Sequence, residues 1–211
     1  MRPPIEEEIE AAEVEVADNH YAAMSLVTTR IAGNAVCRVV NRCNEAQESC
    51  NLDLSECQLM QIPDAIYLLM QNTHLTICDL SNNVISKLPP KFPERFTGIT
   101  ELNLSHNQIC KLPDQLSEMK SLQKLDISYN SFVELPETIN RLSDLCTLIA
   151  SHNFIINVDF KSFEVCLKQL KEADFTENPL NQPTLNMLEE KLPFRVLYTA
   201  PNDEDWRDLD N

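Results

Sequence analysis

The sequence predicts an α/β solenoid: a curved stack of about six repeats of 23–26 residues, with parallel strands on the concave face and a helical cap at the N-terminal end. Three observations predict it. The phrase Leu102-Asn103-Leu104-Ser105-His106-Asn107 returns as Leu125-Asp126-Ile127-Ser128-Tyr129-Asn130, with looser copies closing at Asn83, Asn153 and Asn178. Cys57 takes the same slot in a first copy, and successive closing residues are 26, 24, 23, 23 and 25 positions apart. A Leu-Pro or Ile-Pro pair follows four of the copies, at Ile62-Pro63, Leu88-Pro89, Leu112-Pro113 and Leu135-Pro136. A fixed period of this length is the mark of a stacked repeat architecture, because one unit cannot bury its apolar face alone.

Each copy fits L-x-x-L-x-L-x-x-N-x-L, in which the first Leu is slot one and the Asn slot nine. The third copy fills it with Ile99, Leu102, Leu104, Asn107 and Ile109, and the fourth with Leu122, Leu125, Ile127, Asn130 and Phe132. The Leu-x-Leu centre alternates at period two, as a strand with one buried face does. The Asn amide can bond backbone groups where the chain leaves the strand. Cys57 supplies less of this, as a terminal repeat often does. After each turn the Pro opens a short helix, where its missing N–H costs least. Lys91–Gly98 lengthens the second copy and is expected to bulge on the convex side.

This pattern resembles the leucine-rich repeat. Two stretches sharpen the likeness: Val36-Cys-Arg-Val-Val-Asn41 leading into Leu52–Leu59 with Ile62-Pro63 and Ile66-Tyr67, and Asn178-Pro-Leu-Asn181. They resemble a small intracellular member of that family over about Val36 to Asn181. The resemblance implies an intracellular binding module and carries over no catalytic activity. It supplies no partner, and the chain ends inherit nothing from it.

Five segments follow. Residues 1–20 form an acidic extension expected to be disordered, with one basic residue against seven acidic ones. Residues 21–48 form the helical cap, with Val36, Val39, Val40 and Cys43 on one face and Arg38 and Arg42 on the other. Repeats fill 49–181, residues 182–200 close the far end with a helix near Thr184–Lys191, and 201–211 form an acidic tail. Net charge is −16, of which the first extension carries −6 and the tail −4. Such a surface repels phosphate, so neither nucleic acid nor anionic membrane is an expected partner. The start shows no secretory pattern, and no run approaches the ~20 apolar residues of a membrane span. The cytoplasm is the expected compartment, with the nucleus left open, and a monomer is the expected state.

No cofactor and no metal is called for. The chain has two glycines, Gly33 and Gly98, too few for a glycine-rich phosphate loop. The eight cysteines show neither CxxC nor zinc-ligand spacing, and they read as small buried apolar residues. A metal or redox reading of Cys37, Cys43, Cys50 and Cys57 competes with this. So does a hydrolase reading of Ser105, His106 and Asp126, which lacks a convergent, shielded geometry.

The favoured function is non-enzymatic: an adaptor or regulatory subunit holding a protein on the concave strand face. Side chains at slots three, five, seven and eight are expected to face outward there. Slot eight varies most, which suggests that the solenoid does not dictate it. It places His106, Tyr129 and His152 on three consecutive strands, an aromatic patch of the kind interfaces favour. Glu101 and Lys124 flank it from slot three, and Asp79, Asn103 and Asp126 lie in slot five. The Asp and Ser ladders read mainly as parts of the fold. A docking motif in the tail, Asp203–Leu209 with Trp206, is the alternative interaction site.

Overall fold

The computed structural model describes residues 36–200 and divides the chain into two compact units, Met1–Asn41 and Arg42–Asn211. Of the first unit, described residues 36–41 are helical. Residues 21–35 of the expected 21–48 cap, the acidic extension and the Trp206 tail lie outside the described residues. Val36 is 63% exposed, so it does not join Val39 in a buried stripe.

The second unit opens with a helix over 42–49, α1, in which Cys43 and Ala46 are fully buried. Arg42 is not turned away from the strands as expected. Its Nη1 lies 3.2 Å from Asp53 Oδ1 and donates to the Ser55 carbonyl at 2.5 Å. Seven strands follow, all parallel and in chain order: β1 (Asn51–Asp53), β2 (Ile77–Asp79), β3 (Glu101–Asn103), β4 (Lys124–Asp126), β5 (Thr147–Ile149), β6 (Glu172–Asp174) and β7 (Arg195–Leu197). Register follows the repeat: Cys78, Leu102, Leu125, Leu148 and Ala173 are paired in turn, and all point inward with Leu52. The sequence reading stopped at six strands. The seventh has no Asn turn to announce it, and from the sequence Phe194, Val196, Leu197 and Tyr198 are expected only as further apolar cover at the far end.

The ladder outlasts the three-residue strands. Slot six N–H groups donate onward to the next repeat, as Leu104 N does to Asp126 O at 2.8 Å. Slot eight repeats this, as His106 N does to Ser128 O at 3.0 Å. Each repeat is thereby stitched to its neighbour from strand to turn.

Repeat length decides what crosses the other side. The two spacings of 23 residues hold 3₁₀ helices, Asp114–Glu118 and Glu137–Arg141, each preceded by its Pro. The longer repeats hold α-helices: α2 (Ala65–Leu69), α3 (Lys91–Arg95) and α4 (Phe160–Cys166). Each 3₁₀ helix has five residues, as α2 and α3 have, but rises about 2.0 Å per residue against about 1.5 Å, so the same five residues cover more of the path. The 91–98 insertion is therefore not a bulge. It forms α3, whose Phe92 is buried and meets Phe96 edge-on at 5.1 Å, with Phe96 stacked 5.9 Å from Tyr67. A second aromatic cluster fills the wide repeat at the far end: Phe160 lies 5.7 Å from Phe175, and Phe163 lies 6.4 Å from Phe194. Asp159 caps α4 by accepting from Lys161 N and Ser162 N, and its hydrogen bonds with Ser162 hold its carboxyl below the usual range. Asn181 caps the last helix, α5 (Gln182–Leu188).

The Asn slot is where the packing is fastened. Asn130 Nδ2 reaches Ile127 O and Ser128 O in its own repeat, at 3.2 and 3.0 Å, and Leu104 O of the preceding one at 2.9 Å. Its Oδ1 accepts from Ile109 N at 2.9 Å. Asn83, Asn107, Asn153 and Asn178 make the same set, all with at most 9% exposure. Cys57 is buried in slot nine of the first copy.

Replacing Asn130 with Ala orphans the buried Ile109 N–H, worth about 1–3 kcal/mol when left unpaired, and strips one hydrogen bond each from the Leu104, Ile127 and Ser128 carbonyls, which keep Asn107, Asn153 and His106 N as donors. Urea unfolding of Asn130→Ala is expected to show a loss of about 2–4 kcal/mol. Thiol mapping gives a second expectation. Burial pushes the Cys43 thiol up, with Cys57 adding to it, and burial pushes Cys78 up further. A raised thiol pKa keeps the group protonated and unreactive as pH rises through the usual range. Exposed Cys110 and Cys166 should alkylate at pH 8 in native protein, whereas Cys43 and Cys78 should react only in denaturant.

Candidate functional site

The face of the sheet away from the core is built by slots three and five. Glu101 and Lys124 are exposed on adjacent strands, and Asp79, Asn103 and Asp126 are half-buried one pleat further on. Slot five does structural work at its inner oxygen. Asp126 Oδ1 accepts from Ser128 N at 2.9 Å and from Ser128 Oγ at 2.7 Å, closing an Asx turn at the strand end. Asp79 and Asn103 do the same for Ser81 N and Ser105 N. Asn103 Nδ2 also donates to Asp79 Oδ2 at 3.0 Å.

Slot seven does not face outward. Ser81, Ser105, Ser128 and Ser151 are 5–7% exposed. Their carbonyls feed the Asn amides and the preceding slot-eight N–H groups, which draws the backbone inward at that point.

Slot eight is dictated after all, in backbone if not in side chain. Glu56, Asn82, His106, Tyr129, His152 and Glu177 all have positive φ, between 51° and 55°. The left-handed turn aims the following Asn inward. It costs an L-residue about 1–3 kcal/mol, and it penalises β-branched side chains most. None of the six is β-branched. Single-sequence reading missed this constraint, although the absence of Val, Ile and Thr from the slot was the available signal.

The same turn throws each slot-eight side chain outward. His106 and Tyr129 stack with centroids 4.0 Å apart and planes 12° apart, and Tyr129 and His152 stack at 4.0 Å and 16°. Three rings thus form a continuous rail along the C-terminal ends of β3, β4 and β5, with Tyr129 43% exposed. Asn82 precedes the rail and Glu177 follows it, the latter tied through Oε1 to Thr199 Oγ1 at 3.1 Å. Ring spacing shorter than the usual ~4.8 Å between strands means the side chains lean together.

Ser105, His106 and Asp126 build no relay. Ser105 is buried, Asp126 is turned to Ser128, and His106 lies against Tyr129, with no hydrogen bond joining the three among the described residues. Among the described residues no group of three or more His, Cys, Asp or Glu is placed to hold a metal ion. No helix among them is long and apolar enough to cross a membrane.

A family model described as "Leucine rich repeat" matches residues 73–132, which span β2 to β4 with their Asn turns. Residues 73–132 thus match the leucine-rich repeat, and the parallel stack has the fold of a leucine-rich-repeat solenoid. Human leucine-rich repeat-containing protein 20 is 36% identical over 95 residues, 43% of this chain and 52% of the relative. The chain spans about half the length of the curated relatives it matches. A leucine-rich-repeat protein of Leptospira interrogans superposes with a TM-score of 0.55 at 26% identity, over 66% of this chain and 34% of that one. The TLR13–ssRNA13 complex superposes with a TM-score of 0.58 at 20% identity, over 71% and 21%, a likeness of fold alone. Leucine-rich repeats serve typically as protein-interaction modules rather than as catalysts, and this chain shares that architecture.

The slot-eight geometry is testable at one residue. Tyr129→Asn keeps a side chain that tolerates positive φ, as Asn82 does in the same slot. Tyr129→Val does not. Thermal or urea denaturation is expected to place the Val variant about 1–2 kcal/mol below the Asn variant. Equal stability would mean the turn is soft.

Proposed function

We propose that this chain is a non-enzymatic adaptor or regulatory subunit that seats a polypeptide partner on its open, concave sheet face. The rail of His106, Tyr129 and His152 carries the reading. Three rings stacked at 4.0 Å are already ordered before a partner arrives, so binding loses little side-chain freedom. Rigid aromatic groups at the edge of an uncovered sheet are the kind of anchor that dominates interface energy. Glu101 and Lys124 make the polar rim, and the half-buried Asp79, Asn103 and Asp126 form the floor. The buried thiols of Cys43, Cys57 and Cys78 suit a reducing compartment, which supports an intracellular setting.

The test is a paired affinity purification with wild type and the triple variant His106→Asn, Tyr129→Asn, His152→Asn. Asparagine removes the rings and keeps a residue suited to the left-handed turn, so circular dichroism should be unchanged. The expected result is a partner retained by wild type and lost from the variant, then reproduced with the two purified proteins. Partners held equally by both would overturn the assignment to this face.

A further inference from the structure

We propose that the partner is a cationic polypeptide segment with a bulky apolar anchor. Its basic side chains lie over the middle of the sheet, and its anchor lies over the ring rail and the flank beside it. This rests on the open sheet face being the protein-binding surface, and it adds the chemistry of what binds there.

The charge is concentrated, not merely abundant. At the two ends of the sheet, acids are matched by arginines: Arg42 with Asp53 at 3.2 Å and Arg195 with Glu172 at 3.4 Å. Between them slots three and five hold Asp79, Glu101 and Asp126 against Lys124, and Asp174 lies on the same strand as Glu172. The hydrogen bonds that reach the three aspartates come from neutral groups: Ser81 N and Asn103 Nδ2, Ser128 N and Oγ, Thr176 N and Oγ1. Neutral donors orient a carboxylate without cancelling its field. Neighbouring strands are about 4.8 Å apart, inside the Debye length of roughly 8 Å at physiological salt, so Asp79, Glu101 and Asp126 on three successive strands act together, while Asp174 extends the acidic row beyond uncharged β5. Phosphate polymers and anionic surfaces are repelled by such a face, and basic side chains are drawn to it.

The apolar component lies just past the rail. His152, Phe154 and Ile156 are exposed, while Asn153 and Ile155 between them are buried, so alternate side chains leave on one side. Phe154 is 59% and Ile156 46% exposed, and on the preceding rung Val133 is 52% exposed. The two rungs are joined by Phe154 N to Phe132 O at 2.8 Å and Ile156 N to Val133 O at 3.4 Å. In repeat five, ring and aliphatic groups therefore follow one another through slots eight, ten and twelve, and Val133 at slot twelve of repeat four lies beside them, with Ser131 between it and Tyr129. Contiguous exposed apolar surface of this kind marks a binding surface, and here one edge of it meets the acidic floor.

The test pans a random-peptide phage library against the full-length chain, and the enriched peptides are then synthesised and titrated. Three variants accompany wild type. The first is Glu101→Gln, Asp126→Asn, Asp174→Asn. Its amides preserve the slot-five turn, because Asn103 already closes that turn through Oδ1 at 3.0 Å. The second is Phe154→Ser with Ile156→Ser. The third, Glu118→Gln, Glu137→Gln, Glu164→Gln, removes the same charge from exposed positions on the opposite side.

Enriched peptides are expected to combine Lys or Arg with a bulky apolar residue. They should bind the first two variants about tenfold more weakly and the third unchanged, with affinity falling as salt rises. Equal weakening by the first and third variants would reduce the effect to net charge and overturn the proposal. Peptides that need the ring rail but carry no basic residues would also overturn it, while leaving the sheet face as the binding surface. Failure of any peptide to enrich above bare support would overturn both readings.

Discussion

The structure depends on one side chain used five times. Each buried Asn presents its amide to carbonyls of two successive repeats and its oxygen to an N–H of the earlier one, as Asn107 does with Leu80 O, Leu104 O and Ile85 N. Strands of three residues give little area for pairing, and an isolated short strand is not stable. The Asn clip satisfies the backbone where the strand ends, so the chain can turn sharply without leaving buried polar groups unpaired. Leu, Ile and Phe can then fill the interior, because every repeat arrives in the same register.

The clip also explains the surface. Pointing Asn inward requires the left-handed residue before it, and that residue's side chain has nowhere to go but out. Structure and recognition are thus adjacent in the chain and separate in their demands. Slot nine is buried and hydrogen-bonded in its five Asn copies, slot eight is restricted in backbone, and its side chain is free to become a ring. Three rings in register do what none does alone, since stacking fixes each against the next. The surface proposed to face a partner comes from a row of positions that the fold spaces for its own reasons.

Much of this was legible in the residues. The period, the inward Leu ladder and the Asn slots follow directly from alternation and spacing, and all five Asn anchors lie where the pattern puts them. The rail was visible as a row, though not as a stack, because 4.0 Å spacing depends on side chains leaning closer than their strands. What escaped had a physical cause in each case. The seventh strand carries no Asn, so Arg195–Leu197 lacked the signal that identified the others. The 91–98 segment looked like an insertion because Phe92 and Phe96 acquire meaning only through Tyr67 on the neighbouring repeat. Slot seven was misjudged outward by strand alternation, which the left-handed turn interrupts one residue later. Arg42 was read by helix periodicity, whereas its long side chain is placed by Asp53.

The Asn clips share a direction. Asn83, Asn107, Asn130, Asn153 and Asn178 each reach back toward the repeat made before it, never forward. A ribosome delivers the chain in that same order. Every clip can therefore close as soon as its own Asn emerges, against a surface already synthesised, and none must wait for sequence still in the exit tunnel. The polarity of a hydrogen-bond pattern suits this solenoid to assembly during translation, one turn at a time.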